Sequence, residues 1–286
     1  MRRLLIVLLL VTLSTNICCI DVQASSTAAI NDLLFQGADY HFRGNIDKAL
    51  ELFSAVIARD PANEYARNQR GILYMKKERP DEAYREFLEV VRIDSRNTFA
   101  LLWIGIIRLQ KNDLDGAFDS FQKIAALDSR NADAYYFIGS IYNFRHNSAK
   151  AIEYLKKARD ADSDEADTHY RLGRAFHNVD MTQNALMEYK RTLLLKPSYV
   201  KAMNQIGWIY YNQGNKNAAI SEWRRALESN PKDGETRSNL AKAYNDLAIV
   251  ALNSKNNVKA IEYWKKTLEM EPNNKAALYY VKKYGP

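Results

Sequence analysis

The sequence predicts an all-α chain assembled by stacking helix pairs, and three observations carry that prediction. Glycine recurs at Gly37, Gly71, Gly105, Gly139, Gly173 and Gly207, each 34 residues after the last. Alanine recurs with the same period at Ala49, Ala83, Ala117, Ala151, Ala185 and Ala219. Four residues beyond each alanine stands a large side chain: Phe53, Phe87, Phe121, Leu155, Tyr189 and Trp223. The 286 residues include only 11 Gly and 6 Pro, too few to turn an all-β chain. Self-similarity at such a period marks small units that cannot bury their apolar faces alone. A chain of this kind lengthens by adding units, so its size does not imply two globular domains.

The first element is a targeting signal over residues 1–24. Arg2 and Arg3 form a short positive region, Leu4 to Leu13 an apolar run, and Val22-Gln23-Ala24 a small-residue cleavage site. The run is too short for a bilayer core, which needs roughly 20 residues. Export with cleavage after Ala24 places the protein in the periplasm or outside the cell, without an integral membrane span; a retained N-terminal anchor is the alternative. A lipid-modified cysteine fits less well. That signal wants Leu three residues before the Cys and a small residue just before it, whereas Cys18 has Thr15 and Ile17 there, and Cys19 has Asn16 and Cys18. Both cysteines precede the cut, so the exported chain holds together by packing alone. Residues 25–29 read as a short linker.

Six units follow at 30–63, 64–97, 98–131, 132–165, 166–199 and 200–233. Each holds two amphipathic stretches of about 12 to 14 residues joined by a polar turn such as Arg43-Gly44-Asn45 or Gln213-Gly214-Asn215. The small Gly and Ala let the paired backbones approach, and the bulky residue one turn later fills the wedge toward the next unit. Pro61, Pro197 and Pro231 close the second helix in three units, where Ser95, Ser129 and Ser163 stand in the others. A seventh unit, 241–274, is displaced: Ala260, Trp264 and Pro272 fall seven residues late, and Tyr244, Leu247 and Ala248 take the matching first-helix places. Seven residues make two turns, about 10 Å, which keeps a helix facing the same way.

The large-small-aromatic first helix and Ala-x-x-x-Phe second helix resemble the tetratricopeptide repeat, over residues 30–274. The resemblance implies a right-handed superhelical solenoid of antiparallel helix pairs, closed by a C-terminal capping helix at 275–286. It also implies that the first helices line a concave groove for extended or helical peptides. Positions 2, 5, 9 and 12 of a unit share one face of its first helix. On or beside that stripe lie the candidate partner-binding residues: Tyr65, Asn68, Phe99, Leu102, Ile106, Tyr136, Asn143, Tyr170, Arg171, Arg174, His177, Lys201, Asn204, Trp208 and Tyr211. Its middle is apolar and aromatic, and its later units are polar and partly positive. The Lys, Asn and Arg order by which some members clamp chaperone tails is missing from any three consecutive units.

No catalytic chemistry is expected. The four histidines, His41, His146, His169 and His177, are scattered, with His146 in a turn and His169 at a packed position. No HExxH, GxSxG or glycine-rich phosphate loop occurs, so no metal or other cofactor is implied. The net charge of +7 is spread along the chain, which argues against nucleic acid. The function expected is therefore a cell-envelope scaffold or adaptor for a protein or peptide with apolar anchors and some acidic character. Self-assembly, by end-to-end stacking, is the alternative.

Overall fold

A computed structural model describes residues 27–284, which are helical throughout apart from short turns. The expected signal, its cleavage site and both cysteines lie outside the described residues. Within them no helix is long and apolar enough to cross a membrane. The chain forms two compact units, divided between Ser129 and Arg130. The first holds three helix pairs: α1 (27–42) with α2 (Ile46–Arg59), α3 (Glu64–Lys76) with α4 (Pro80–Ile93), and α5 (Thr98–Gln110) with α6 (Leu114–Leu127). The second holds four pairs and a last helix: α7 (Ala132–Phe144) with α8 (Ser148–Ala161), α9 (Ala166–His177) with α10 (Thr182–Leu195), α11 (Val200–Asn212) with α12 (Lys216–Ser229), α13 (Gly234–Asn253) with α14 (Asn257–Met270), and α15 (Lys275–Tyr284). Residues 27–29 belong to α1, so the linker expected at 25–29 is not one over that stretch. Their Thr-Ala-Ala sequence has no breaker to delay the helix.

The periodic residues meet inside each pair. A Cβ added at Gly71 would lie 2.6 Å from the Phe87 ring, and one at Gly105 2.6 Å from the Phe121 ring. The same juxtaposition recurs from Gly37 with Phe53 to Gly173 with Tyr189. Glycine is there to make room for the bulky side chain of its own pair, a ring in five pairs and Leu155 at Gly139, a tighter reason than general backbone approach. The same ring then reaches onward, as expected: Phe53 meets Tyr65 edge-on at 6.2 Å, and Phe87 stacks on Trp103 at 5.8 Å. In these two pairs the ring is thus covered from both sides.

Helix ends follow polar rules. Asn45, Asn63, Asn97, Asp113, Asn131, Asn147, Asn215, Asp233 and Asn256 each accept a hydrogen bond from the backbone N–H three residues on. Such caps are worth about 1 kcal/mol apiece. The turn inside a pair needs a left-handed residue, supplied by Gly44 (φ 78°) and Gly214 (φ 80°) as the sequence suggests. Glu78, Asn112, His146, Asp180 and Lys255 adopt it elsewhere. Proline proves dispensable as a stop. α4, α6 and α8 end at the same place in their units as α2, although Ser follows rather than Pro.

The displaced seventh pair has a simple cause. α13 starts in phase after the Pro231 turn and runs 20 residues instead of the usual 12 or 13, so the seven extra residues are helical and the pair begins at Gly234. Its first half packs on Ala219 and Trp223 through Leu240, Ala243 and Tyr244. Its second half packs on Ala260, Trp264 and Ala277 through Ala248 and Ala251. α15 closes that second cluster, with Tyr280 stacked on Trp264 at 4.4 Å and an interplanar angle of 7°.

Candidate partner-binding surface

In the second unit the first helices of successive pairs bring their side chains to one cavity of about 380 Å³. α7 contributes Tyr136; α9 contributes Asp167, Tyr170, Arg171 and Arg174; α11 contributes Lys201, Asn204 and Gln205; α13 contributes Glu235. Tyr199, at the N-cap of α11, completes the lining. These side chains converge because the same register positions recur 34 residues apart, Tyr136, Tyr170 and Asn204 at one and Asp167, Lys201 and Glu235 at another.

The floor is a set of fixed phenols. Tyr170 lies 5.0 Å from Tyr199 and 5.8 Å from the buried Tyr189, ring centre to ring centre. The Tyr199 hydroxyl donates to the Asp167 carboxylate. Burial pushes the Tyr170 phenol up, and burial together with the Asp167 bond pushes the Tyr199 phenol up further. Both stay neutral across the physiological range. Arg171 is committed: its Nε donates to the Tyr136 hydroxyl at 2.7 Å, and its carbonyl accepts from Asn143 Nδ2 at 3.1 Å.

Above this floor, Arg174 and Lys201 are exposed and form no hydrogen bond or ion pair among the described residues. Three cations and two carboxylates line the cavity, and Asp167 is already engaged by Tyr199. The spare charge is positive. A neighbouring cavity of about 260 Å³ shares Tyr136 and Asp167 and is rimmed by the carboxylates of Asp133, Asp162 and Glu165. The surface therefore changes sign over one helix pair.

Six of the fifteen candidates, Tyr136, Tyr170, Arg171, Arg174, Lys201 and Asn204, line the larger cavity. Asn204 does so only marginally. It is buried, donates to Asp233 at 3.3 Å and accepts from the Thr236 hydroxyl at 2.8 Å, so its amide serves the seventh pair instead of a ligand. Trp208 and Tyr211 are half-buried and pack on Trp223 at 5.4 Å and 5.9 Å, with the Tyr211 phenol bonded to Asp246 and raised to about 12 by burial and that bond. His177 and Asn143 are half-buried on α9 and α7. The remaining five belong to the first unit. Tyr65 and Phe99 are 48% and 42% exposed, Leu102, Ile106 and Asn68 are half-buried, and Asn68 Oδ1 is buried without a hydrogen-bond partner.

The sequence reading did not single out Asp167, which lies on the stripe itself, and missed Tyr199, Gln205 and Glu235. Glu235 was legible: it falls 34 residues after Lys201, and only the displaced numbering of the seventh unit hid it. Gln205 repeats the register of Arg171 in the same way. Tyr199 sits in a turn that the first-helix stripe does not include. The packed place of His169 holds as expected. It is buried, 2.6 Å from Glu188 and 3.0 Å from the Ser163 carbonyl. No group of three or more His, Cys, Asp or Glu side chains among the described residues is arranged to hold a metal ion.

Models of the tetratricopeptide repeat match residues 36–98, 69–134, 104–166 and 200–233. No curated protein matches the chain. Among solved structures, the C-terminal part of a TPR repeat-containing protein from Cytophaga hutchinsonii is 20% identical, with a TM-score of 0.69 over 87% of this chain and 99% of its own. MamA is 28% identical, with a TM-score of 0.52 over 58% of this chain and 96% of its own. YrrB, described as a TPR protein with an unusual peptide-binding site, is 18% identical, with a TM-score of 0.54 over 64% of this chain and 95% of its own.

Proposed function

The chain belongs to the tetratricopeptide repeat family, and from that premise we propose that it is a non-catalytic scaffold of the cell envelope that holds a protein partner against its first helices. The observation that carries this reading is the cavity of the second unit, where Arg174 and Lys201 stand unpaired over the phenols of Tyr170 and Tyr199. The ligand that suits it is a peptide bearing a carboxylate beside an aromatic or aliphatic anchor. A bond between charged partners contributes about 1.5–3 kcal/mol and a buried aromatic anchor 2 or more, so micromolar affinity, about −8 kcal/mol, takes a handful of such contacts. YrrB, whose fold this chain shares, has a peptide-binding site, in keeping with the reading.

Export is supported by the positive, apolar and small-residue order of residues 1–24. Mass spectrometry of the N-terminus of the protein recovered from cells tests it. Ser25 as the first residue is the expected result, and a chain that retains Met1 in the cytoplasm contradicts it.

The groove is tested with labelled peptides carrying an acidic residue next to Phe or Leu, followed by fluorescence anisotropy. Arg174→Glu with Lys201→Glu should weaken acidic peptides by tenfold or more and leave their Asn and Gln counterparts nearly unaffected. Tyr170→Ala should weaken both. Equal affinity of the unaltered chain and the double variant for acidic peptides removes the site.

A further inference from the structure

Two helices leave bare, patterned faces. On α1, Phe35 and Phe42 are 75% and 92% exposed. They stand seven residues apart and form one row, because seven residues return a helix to within about 20° of its starting direction. Asp32 and Asp39 form a second row about 60° to one side. Their bonds, from Gln36 to Asp32 and from Arg43 to Asp39, stay within the helix and at its surface, where such pairs are worth little and exchange readily. The opposite face of α1 is spent on its own pair, with Ile30, Leu33, Leu34 and Tyr40 packed on the cluster around Phe53.

On α15, Ala277 and Tyr280 face the Trp264 cluster. The outer face presents Lys275 and Lys282, again seven residues apart, exposed and without an ion pair among the described residues. Leu278, 48% exposed, lies about 60° to the same side of the lysine row as the phenylalanines do of the aspartate row. Tyr279, 57% exposed, lies on the other side.

From this match we infer that α1 of one molecule docks antiparallel on α15 of a second copy. Antiparallel contact is the orientation that sets apolar row against apolar row and charge row against charge row. Asp32 then faces Lys282, Asp39 faces Lys275, and Phe35 lies level with Leu278. The charge spacing is about 10 Å on both helices, so both pairs form in a single register. The two faces differ, so the contact is head-to-tail. A contact of this kind joins copies into a ring or an open chain, according to whether its rotation closes. One helix-on-helix contact is small beside a standard protein interface, which places the association on the order of 10–100 µM or weaker. This inference is independent of the peptide groove, because none of its residues lines the cavity.

The test is sedimentation velocity of the purified chain from about 10 µM to about 1 mM at low salt. The weight-average mass should rise above that of the monomer with concentration and fall back at about 0.5 M salt, where charges are screened beyond roughly 4 Å. Asp32→Lys with Asp39→Lys should abolish the rise, as should Lys275→Glu with Lys282→Glu. Mixing these two double variants should restore it, because the reversed α1 face of one complements the reversed α15 face of the other. A mass that stays monomeric, or that is the same in both double variants as in the unaltered chain, overturns the inference. Peptide binding by both variants should stay unchanged, which separates this result from the fate of the groove.

Discussion

At Gly71 a single methyl group has two opposed effects, and their sizes decide the outcome. Alanine favours a helix interior over glycine by up to about 1 kcal/mol. Yet its Cβ would stand 2.6 Å from the Phe87 ring, which is fully buried and has no room to withdraw. Overpacking of that kind costs about 1–3 kcal/mol. Gly71→Ala should therefore destabilise the protein by about 1–2 kcal/mol in urea unfolding, against the direction helix propensity alone gives. His169 supplies a second residue-scale test. Its bond to Glu188 raises the imidazole above the ordinary histidine value, in spite of burial, with the Ser163 carbonyl adding to the effect. A base whose folded value is raised contributes stability that is complete below its unfolded value, near 6.5, and lost as pH climbs through the folded one. Stability of the unaltered chain should thus decline as pH rises above about 6.5. His169→Gln should be less stable at about pH 6 and show a flatter profile, measured by thermal melts across pH.

Elements were legible wherever a side chain type imposed a distance. The spacing from glycine to bulky residue located every pair from α1 to α12, since a ring, or Leu155 in the fourth, must find its gap on the first helix. Proline was read as the stop of the second helix in three units, yet α4, α6 and α8 stop at the same place without it; the left-handed residue that turns every pair is the more regular signal. The start of α13 was missed for a related reason. An insertion of two whole turns leaves the facing of a helix unchanged, so periodicity counted back from Ala260 could not reveal it. α15 offers the test at this scale. Tyr280→Ala removes the ring stacked on Trp264 and should cost about 2 kcal/mol, less than a fully buried aromatic would. In a repeat array that loss is local. Tryptophan fluorescence should show an early red-shifting phase at low denaturant, with the main transition in place.

Across the molecule, the fold class was readable because one rule is repeated seven times, and repetition multiplies a weak signal. The site was readable only in part. Position on a first helix says which face a side chain occupies, but not whether a neighbour claims it. Asn204 is claimed by Thr236 and Asp233 and Tyr211 by Asp246, through contacts between pairs that a single period cannot display, while Trp208 packs on Trp223 of its own pair. Arg174 and Lys201 were left over, and that leftover charge is what the proposed groove offers a ligand. The double footprint of α13 carries one more consequence. Residues up to Tyr244 are clamped to α12, and those from Ala248 are held by α14 and α15. When the C-terminal pair opens, the fray therefore halts partway along an unbroken helix. The stump that remains is a rigid tether, and the loosened tail can find its seat again without a search.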